Sequence, residues 1–455
     1  MAEQRQYMYD VIFIGSGHSC NHGGMALAAS GKKVAFVEMG KMGGTCTNYG
    51  CDAKILLDGP FEFVDGLRRY EGLCVDGIGT IDWTKLMAYK KQQLSVFDPL
   101  LETVFRQFGI DVIRAKGSIR DAHTVLAGDQ ELTAEYIVIG TGQRNNRLPV
   151  PGKEYMHGST DFLDIDEMPD RIVFVGAGII SMEFASMALT LGKEVTIIEF
   201  APRALLAYPE KYVANLVKKM EDQGAKFVFG EGVSEVEKTD GGYVVRTASG
   251  FAAECDYVLD ATGRVANVED LGLEALGIEA DRRGIRVDDH MRTAVPNIYA
   301  SGDVVCKAIP KLTPTAEFES NYIASQILGL SADPIRYPAV PNLVFTLPRI
   351  AQAGVTVEEA QKDPANYRII ENAYGKNNEW VNNRETDIEL TFILDKEGCL
   401  AGAAIYGSEA GTWIDFLTLI INQKLTARDL HGMIFAFPTQ TYMLISTLAP
   451  ILKPF

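Results

Sequence analysis

The stretch Tyr9–Cys20, YDVIFIGSGHSC, decides the fold. An apolar run enters a turn in which two glycines are separated by one residue, and a second run, GKKVAFVEMG, ends its apolar part at Glu38. A buried strand, a glycine turn and a helix, followed by an acid about 20 positions past the glycines, form a dinucleotide-binding βαβ unit. The opening stretch therefore predicts an α/β fold with a nucleotide site.

The same pattern occurs a second time. DRIVFVGAGIIS spans 170–181, and GKEVTIIEF ends its apolar part at Glu199. The glycines of each turn allow a tight bend and a close approach to a pyrophosphate, and the following helix offers free N–H groups. Glu38 and Glu199 can accept hydrogen bonds from ribose hydroxyls, and an acid at position 199 repels a 2′-phosphate. We therefore expect two dinucleotide sites, the second preferring NADH to NADPH. The glycines concerned are Gly15, Gly17, Gly176 and Gly178.

The third glycine of each turn is replaced, by Cys20 in the first and by Ser181 in the second. That glycine normally permits close packing of the helix on the strand, and a small residue can replace it with a slight shift. The surrounding run HSCNH places His18 and His22 one helical turn apart. A metal site here is conceivable, but the preferred interpretation is that His18 contacts a pyrophosphate or caps the helix.

Composition narrows the function. The chain has 455 residues and a net charge of -17, which disfavours nucleic acid and anionic membranes as partners. No apolar run reaches about 18 residues, so no membrane span is expected. The N-terminal run reads as a first strand and not as a signal peptide. Seven dispersed cysteines do not form a secreted disulfide framework, and we expect a cytoplasmic protein.

Three later motifs each end a strand in a glycine turn. YIVIGTG and YVLDATGR end in Thr-Gly, at Gly142 and just before Arg264, and NIYASGDV places Gly302 and Asp303 after an apolar strand. From about Tyr337 onward the pattern changes to antiparallel strands and amphipathic helices, without a nucleotide motif. The chain therefore ends in an α+β unit.

The stretch GGTCTNYGC, residues 43–51, carries Cys46 and Cys51. The two cysteines can be a redox pair, two metal ligands or two small buried residues. A structural metal site needs further ligands at short spacing, and none stands nearby in the sequence. In a cytosolic protein a cysteine pair is more often catalytic or metal-binding than structural.

Together these motifs, with LTPTA and VPNLVFTLPRIAQAGVTVEEA in the same order, resemble the pyridine nucleotide–disulfide oxidoreductases. That family includes dihydrolipoyl dehydrogenase, glutathione reductase and the mercuric reductase core. The resemblance implies two Rossmann-like domains, for FAD and NAD, and a C-terminal α+β dimerisation domain. The implied domains are FAD-binding at 1–150 and 288–336, NAD(P)-binding at 151–287, and dimer-interface at 337–455. It also implies a homodimer whose active sites borrow residues from the partner.

The resemblance also implies site residues. Cys46 and Cys51 would form the redox disulfide, with Cys51 against the flavin and Cys46 as the exposed attacking thiol. Lys54 would pair with Glu183, but the family has three residues between the second cysteine and the lysine and this chain has two, so a solvated lysine is an open alternative. The implied FAD contacts are Gly15, Gly17, Glu38, Gly44, Thr45, Gly142, Gly302, Asp303, Thr313 and Ala316; the implied NAD contacts are Gly176, Gly178, Glu199 and Gly263.

The family's C-terminal base is absent. Where its disulfide reductases have His-Pro-Thr and a following Glu, this chain has Phe437 in place of the histidine and Tyr442 in place of the glutamate. Loss of a positioned general acid–base costs about 10²–10⁴-fold, so lipoamide and glutathione disulfide are not expected as efficient substrates. The predicted enzyme passes electrons from NADH through FAD and the cysteine pair to a metal ion, a thiol adduct or an activated disulfide. A quinone reductase working from the flavin, and a non-catalytic redox sensor, remain alternatives.

Overall fold

The structure is a computed structural model that describes residues 6–377 and 384–453. The outer ends of the first and last predicted domains, residues 1–5 and 454–455, lie outside the described residues. The strands are β1 Tyr9–Ile14, β2 Val34–Glu38, β3 Asp111–Arg114, β4 Gly117–Asp121, β5 Thr124–Ala127, β6 Gln130–Ile139, β7 Gln143–Asn145, β8 Met156–His157, β9 Arg171–Val175, β10 Glu194–Glu199, β11 Lys226–Phe229, β12 Val233–Thr239, β13 Gly242–Thr247, β14 Ala252–Cys255, β15 Tyr257–Asp260, β16 Arg264–Ala266, β17 Ala280–Asp281, β18 Gly284–Ile285, β19 Ile298–Ala300, β20 Asn342–Val344, β21 Ile350–Gly354, β22 Tyr367–Asn372, β23 Glu389–Asp395 and β24 Leu400–Tyr406.

One helix follows each of the strands β1, β9 and β10 of the two βαβ units, while four helices stand together between β2 and β3. They are α1 His18–Ala29, α2 Gly44–Tyr49, α3 Cys51–Arg68, α4 Trp83–Leu94, α5 Phe97–Gln107, α6 Ser159–Phe162, α7 Ile179–Thr190, α8 Glu210–Asp222, α9 Thr313–Ile327, α10 Val357–Lys362, α11 Tyr374–Asn377, α12 Ala410–Gln423, α13 Ala427–His431 and α14 Gln440–Leu448. No helix within residues 6–377 and 384–453 is long and apolar enough to cross a membrane.

The first sheet contains the opening stretch. Its order is β3-β2-β1-β6-β5-β4, and β1 pairs in parallel with both β2 and β6. Strand β19 returns much later in the chain and pairs in parallel with β6. Because the chain leaves this sheet after β6 and rejoins it at β19, the Gly302 turn comes to the same sheet edge as the Gly15 turn.

The second sheet is formed by the repeated unit. Its order is β11-β10-β9-β15-β8, and every pairing in it is parallel. Helix α7 follows β9 and is buried along most of its length, because it packs between this sheet and the redox helix α3. A parallel sheet with a glycine turn at its carboxyl edge is the second predicted nucleotide-binding unit.

The C-terminal sheet is antiparallel, in the order β20-β21-β24-β23-β22, and α12 covers one face through the buried Trp413. It contains no glycine-turn nucleotide motif among its described residues. The fold class predicted from the sequence, two dinucleotide-binding α/β units and a C-terminal α+β unit, is confirmed.

The first glycine turn shows how the missing third glycine is accommodated. Gly15 has φ +115°, and a Cβ there would lie 2.5 Å from the carbonyl oxygen of Gly140. A Cβ on Gly140 itself would lie 2.1 Å from Cys20 Sγ. The close helix–strand contact is therefore kept, because the glycine stands on the strand side at position 140 and the thiol of Cys20 fills the space.

A buried ion pair joins helix α3 to the C-terminal sheet. Arg349, just before β21, donates to both carboxylate oxygens of Asp58 on α3, at 3.1 and 2.5 Å. The two side chains are 5% and 1% exposed, and Arg349 also contacts Glu62 at 3.1 Å. A bidentate pair of this kind fixes both the distance and the orientation of the two elements.

We predict that Asp58→Asn destabilises the protein by about 3–5 kcal/mol, because it leaves the buried Arg349 guanidinium with only the half-exposed Glu62 as a counter-charge. Thermal unfolding of the purified cofactor-loaded protein measures the change. Asp222→Asn, which removes one partner of the exposed Lys218–Asp222 pair, is the matched control and should change stability by at most about 0.5 kcal/mol. Equal effects of the two substitutions would contradict a structural role for the buried pair.

Candidate redox site

The two cysteines of the GGTCTNYGC stretch lie where two consecutive helices, α2 and α3, meet. Cys46 belongs to α2, and Cys51 is the first residue of α3 after Gly50. Both are thiols in this structure, and the interaction between them shifts their pKa values in opposite directions. Cys51 is exposed and Cys46 is partly exposed, so exposure alone does not single out Cys46 as the attacking thiol.

Electrostatics does separate the two thiols. The hydrogen bond from the Cys46 thiol lowers the pKa of Cys51 to about 6, and the Thr313 hydroxyl at 3.5 Å and the charge of Lys54 act in the same direction. The same hydrogen bond and burial raise the pKa of Cys46 above its ordinary value. Cys51 also stands at a helix N-terminus, which favours a thiolate. At neutral pH, Cys51 is therefore the thiolate of the pair.

Lys54 and Glu183 meet despite the shortened spacing after Cys51. Lys54 Nζ lies 3.0 Å from Glu183 Oε1, and the same oxygen accepts a hydrogen bond from the backbone N–H of Phe345 at 2.9 Å. Glu183 is buried, which raises its pKa, while Lys54 opposes that rise. The ammonium also lies 4.0 Å from the centre of the Phe345 ring. The solvated-lysine alternative is wrong, since Lys54 lies in a defined contact.

The glycine turns leave helix N-termini open to a phosphate. Gly17 is the N-cap residue of α1 and Gly178 is the N-cap residue of α7, and neither helix has a side-chain cap. Gly17 forms an isolated parallel β-bridge with Gly43, and Gly44 also lies close to Gly17. The stretch that carries the two cysteines therefore packs against the first glycine turn. These uncapped N–H groups fit the pyrophosphates of two dinucleotides.

The two strand-end glutamates are held by the turns beside them. Glu38 accepts from the backbone N–H and the hydroxyl of Ser16, both at 2.9 Å. Glu199 accepts from the backbone N–H of Ala177 at 2.5 Å and of Ala201 at 2.7 Å. Each carboxylate therefore lies beside its glycine turn, where a ribose of a bound dinucleotide would be.

The remaining predicted contacts lie in these turns and at the start of α9. Gly142, Gly176, Gly263 and Gly302 have φ values of +67°, +95°, +124° and +76°, a region that favours glycine. Thr313 begins α9, Ala316 packs near Gly302, and Thr45 is exposed on α2. The structure thus places Thr313 beside the cysteine pair and Ala316 beside the Gly302 turn.

Sequence reasoning missed Glu319, which fixes the Gly302 turn. It is fully buried and accepts from the Gly302 N–H at 2.6 Å and the Tyr337 hydroxyl at 2.7 Å, and it contacts Lys307 Nζ. In the sequence, Glu319 is marked only as an acid three residues after Ala316. The structure places that position on the buried side of α9. The hydrogen bonds hold the backbone next to Asp303 in place.

A cavity of about 680 Å³ opens between the Gly263 turn and the segment 306–311. It carries a marked positive charge in a chain whose net charge is -17. Burial lowers the pKa of Lys311 and Arg264 within it. Such a lining fits an anionic cofactor rather than a cationic one. Its basic residues are Arg264, Arg282, Arg283, Lys307 and Lys311.

At the C-terminus, Phe437 and Tyr442 pack edge to face, with ring centres 5.1 Å apart. Thr439 caps α14 by accepting from the Tyr442 N–H at 3.2 Å. A glutamate at position 442 would complete a capping box, and tyrosine cannot. Positions 437 and 442 therefore supply neither the imidazole nor the carboxylate of a general base.

Comparisons with known proteins agree with this geometry. Residues 9–320 match the family model described as pyridine nucleotide-disulphide oxidoreductase, and residues 340–445 match its dimerisation domain. The chain is 31% identical over 442 residues to dihydrolipoyl dehydrogenase from Chlamydia muridarum, with 95% of this chain and 94% of the relative covered. It is 28% identical over 438 residues to glutathione reductase from Burkholderia cepacia, with 96% and 97% covered.

A solved structure has the same fold. It is the Cu(II) complex of a cysteine-to-serine mutant of the HOCl-induced flavoprotein disulfide reductase RclA from Escherichia coli, with a TM-score of 0.88 and 23% identity, covering 98% of this chain and 100% of that chain. Members of the matched family are enzymes that use FAD and a pyridine nucleotide. Because the family models match most of the chain, this protein belongs to the pyridine nucleotide-disulphide oxidoreductase family.

Proposed function

We propose that this protein is an NADH-preferring flavoprotein oxidoreductase. Its Cys46–Cys51 pair passes electrons to an acceptor whose reduction needs no proton from a general acid of the protein. One observation carries the proposal: the sulfur of Cys51, the first residue of α3, lies 3.5 Å from the Thr313 hydroxyl, in surroundings that lower the pKa of its thiol to about 6. FAD, when bound, supplies two-electron transfer between the nucleotide and the cysteine pair. In each turnover NADH is oxidised to NAD⁺ by loss of a hydride, and the Cys46–Cys51 bond takes up the two electrons and the proton of that hydride, together with one solvent proton, to give two thiols.

The roles of the surrounding residues follow from their contacts. Glu183 holds Lys54 beside the start of α3, where the ammonium stabilises the Cys51 thiolate. Thr313 donates or accepts at the same sulfur and so holds it in one position. We assign the Gly15 turn and Glu38 to FAD, and the Gly176 turn to the nicotinamide nucleotide.

The preference for NADH is supported by the residues beyond β10. Glu199 lies where a 2′-phosphate would be, and like charges repel. Arg203, the nearest following arginine, donates to the backbone carbonyl oxygens of Ala204, Leu205, Leu206 and Tyr208. Its guanidinium is therefore engaged in holding its own loop.

Phe437 and Tyr442 point to the class of acceptor. A disulfide substrate needs a proton on its leaving thiol, which a general acid supplies, whereas an oxidised metal ion needs only electrons. Two Cu(II) ions and the dithiol would give two Cu(I) ions, the disulfide and two protons. The solved neighbour that was studied as a Cu(II) complex supports a metal ion as the preferred acceptor class.

The function is tested with an acceptor panel of buffered Cu(II), lipoamide, glutathione disulfide and a quinone. We expect NADH-driven Cu(II) reduction in the wild type to exceed that with either disulfide, and NADH to be a better donor than NADPH. The double variant Cys46→Ser/Cys51→Ser should keep its FAD and lose Cu(II) reduction to the level of the buffer. Cys74→Ser, which changes an exposed cysteine away from the pair, is the control. Unchanged activity of the double variant with every acceptor would mean that electrons leave from the flavin.

The pKa of Cys51 sets a pH dependence. Its folded pKa of about 6 is lower than that of a free thiol, so the thiolate is present above that pH and lost below it. We expect alkylation of Cys51 by iodoacetamide in the reduced protein to slow about tenfold per pH unit below about 6, because only the thiolate reacts. Tandem mass spectrometry of the labelled peptide measures it.

Two substitutions on α9 test the origin of that pKa. Thr313→Val removes the hydroxyl 3.5 Å from the sulfur and should move the alkylation profile to higher pH. Thr315→Val, at a buried threonine on the same helix, should leave it in place. A profile for Cys51 that stays near the pH range of an ordinary thiol would overturn the thiolate assignment.

Restoring the base should restore disulfide chemistry. In Phe437→His/Tyr442→Glu the glutamate completes the cap of α14 and orients the imidazole. We expect reductase activity with lipoamide or glutathione disulfide to rise at least tenfold, part of the roughly 10²–10⁴-fold that a positioned acid–base supplies. Phe437→Leu/Tyr442→Glu, which adds no base, is the control. An equal rise in both variants would show that side-chain size, and not proton transfer, limits the reaction.

A further inference from the structure

A group of metal-ligating atoms outside the redox pair lies between α1 and α9. His18 Nδ1 and His22 Nε2 are 3.2 Å apart, and each lies 3.1 Å from the same carboxylate oxygen, Oε1 of Glu317. Three donor atoms on three side chains therefore converge on one point. None of the three residues has a part in the proposed electron transfer.

The spacing matches that around a metal ion. Ligands at about 2.0–2.1 Å from a tetrahedral ion lie about 3.3 Å from one another, close to the three separations seen here. A triangle of hydrogen bonds does not account for it, because the one N–H at His18 Nδ1 cannot point along the edge to His22 and the edge to Glu317 at once. A cation at the centre satisfies all three atoms together.

The fold holds the three ligands rigidly. His18 and His22 are one turn apart on α1, so their side chains share a face. Glu317 comes from α9, which packs along α1 in backbone contact: the N–H of Gly23 donates to Ser320 Oγ at 2.9 Å, and a Cβ on Gly23 would lie 2.3 Å from the Ser320 carbonyl oxygen. A site built on two helices in such close contact is preorganised.

The position and exposure of the group suit an ion that enters from solvent. The side chains of His18, His22 and Glu317 are 23%, 33% and 36% exposed. Glu317 lies one helical turn after Thr313, whose hydroxyl contacts Cys51. The carboxylate of Asp52, next to Cys51, interacts electrostatically with His18. A bound ion would therefore lie near the redox pair.

We propose that His18, His22 and Glu317 bind a divalent late transition-metal ion, of the Cu(II) or Zn(II) class. Two imidazoles and one carboxylate select such ions over Mg²⁺ and Ca²⁺, which prefer oxygen ligands alone. Three protein ligands leave a coordination position open, as in metal sites that exchange a water or a substrate. The site binds its ion whether or not that ion is reduced, so it stands apart from the electron transfer proposed above.

The test uses Cu(II) alone as the probe and the FAD-loaded Cys46→Ser/Cys51→Ser protein, which has neither thiol of the pair to bind or reduce the metal. Electron paramagnetic resonance during titration should show one Cu(II) per chain with two coupled nitrogens, and excess Zn(II) should displace it. His22→Gln should lower the affinity at least tenfold and remove one nitrogen coupling. Glu317→Gln should lower the affinity similarly and keep both nitrogens.

The matched control is His290→Gln. His290 lies in the second His–acid group, with Asp288 and Asp289, but its two ring nitrogens are bonded to Asp289 and to the Ala332 carbonyl oxygen. Its replacement should leave Cu(II) binding as in the parent. FAD content, measured by absorbance, must match the parent; if His22→Gln loses FAD, the Glu317→Gln result decides. Unchanged affinity and spectrum in Glu317→Gln would overturn the proposal, while Cu(II) reduction by the wild type is judged separately.

Discussion

The buried carboxylate of Glu183 is the constraint on which the redox site depends. It lies on α7 of the second sheet, binds Lys54 of the redox helix, and accepts a hydrogen bond from Phe345 in the third unit. A buried carboxylate must have its charge and hydrogen bonds satisfied, and here three parts of the chain satisfy it together. The orientation of α3 after Cys51 is therefore tied to both nucleotide-binding units and to the C-terminal unit.

A second set of contacts reinforces the same helix from the other side. The ring of Phe345 lies 4.0 Å from Lys54 Nζ and 4.7 Å from the guanidinium carbon of Arg349, and Arg349 in turn binds Asp58. Aromatic faces attract cations, so one phenyl ring lies between two charges that each hold α3. The apolar core below is continuous as well, since Leu57 and Phe61 of α3 share it with both neighbouring sheets. Cys51 is consequently carried by a helix that has little freedom to rotate.

Much of this molecule could be predicted from the sequence, because βαβ units are local and their glycines have fixed spacing. The two nucleotide turns and the α+β character of the end follow from patterns within about 30 residues, whereas the return of the chain to the first sheet at β19 is implied only by the resemblance to the family. The Lys54–Glu183 contact could not be derived in that way, since it depends on the rotational phase of α3 relative to a helix 129 positions away. Glu317 and Glu319 were missed for the same reason: their partners lie on other elements, and the alternation of burial along α9 becomes informative only once α1 is in place.

The exchange between Cys20 and Gly140 has a consequence for how this chain can vary. A helix needs one residue without bulk where it crosses the strand, and here the strand supplies it. The two positions are therefore coupled: a larger residue at 140 requires a smaller one at 20, because its Cβ would otherwise lie 2.1 Å from the Cys20 sulfur. Variation at this crossing is expected in correlated pairs of substitutions across 120 residues, so a search for the glycine at its usual helix position alone would undervalue sequences that solve the packing in this second way.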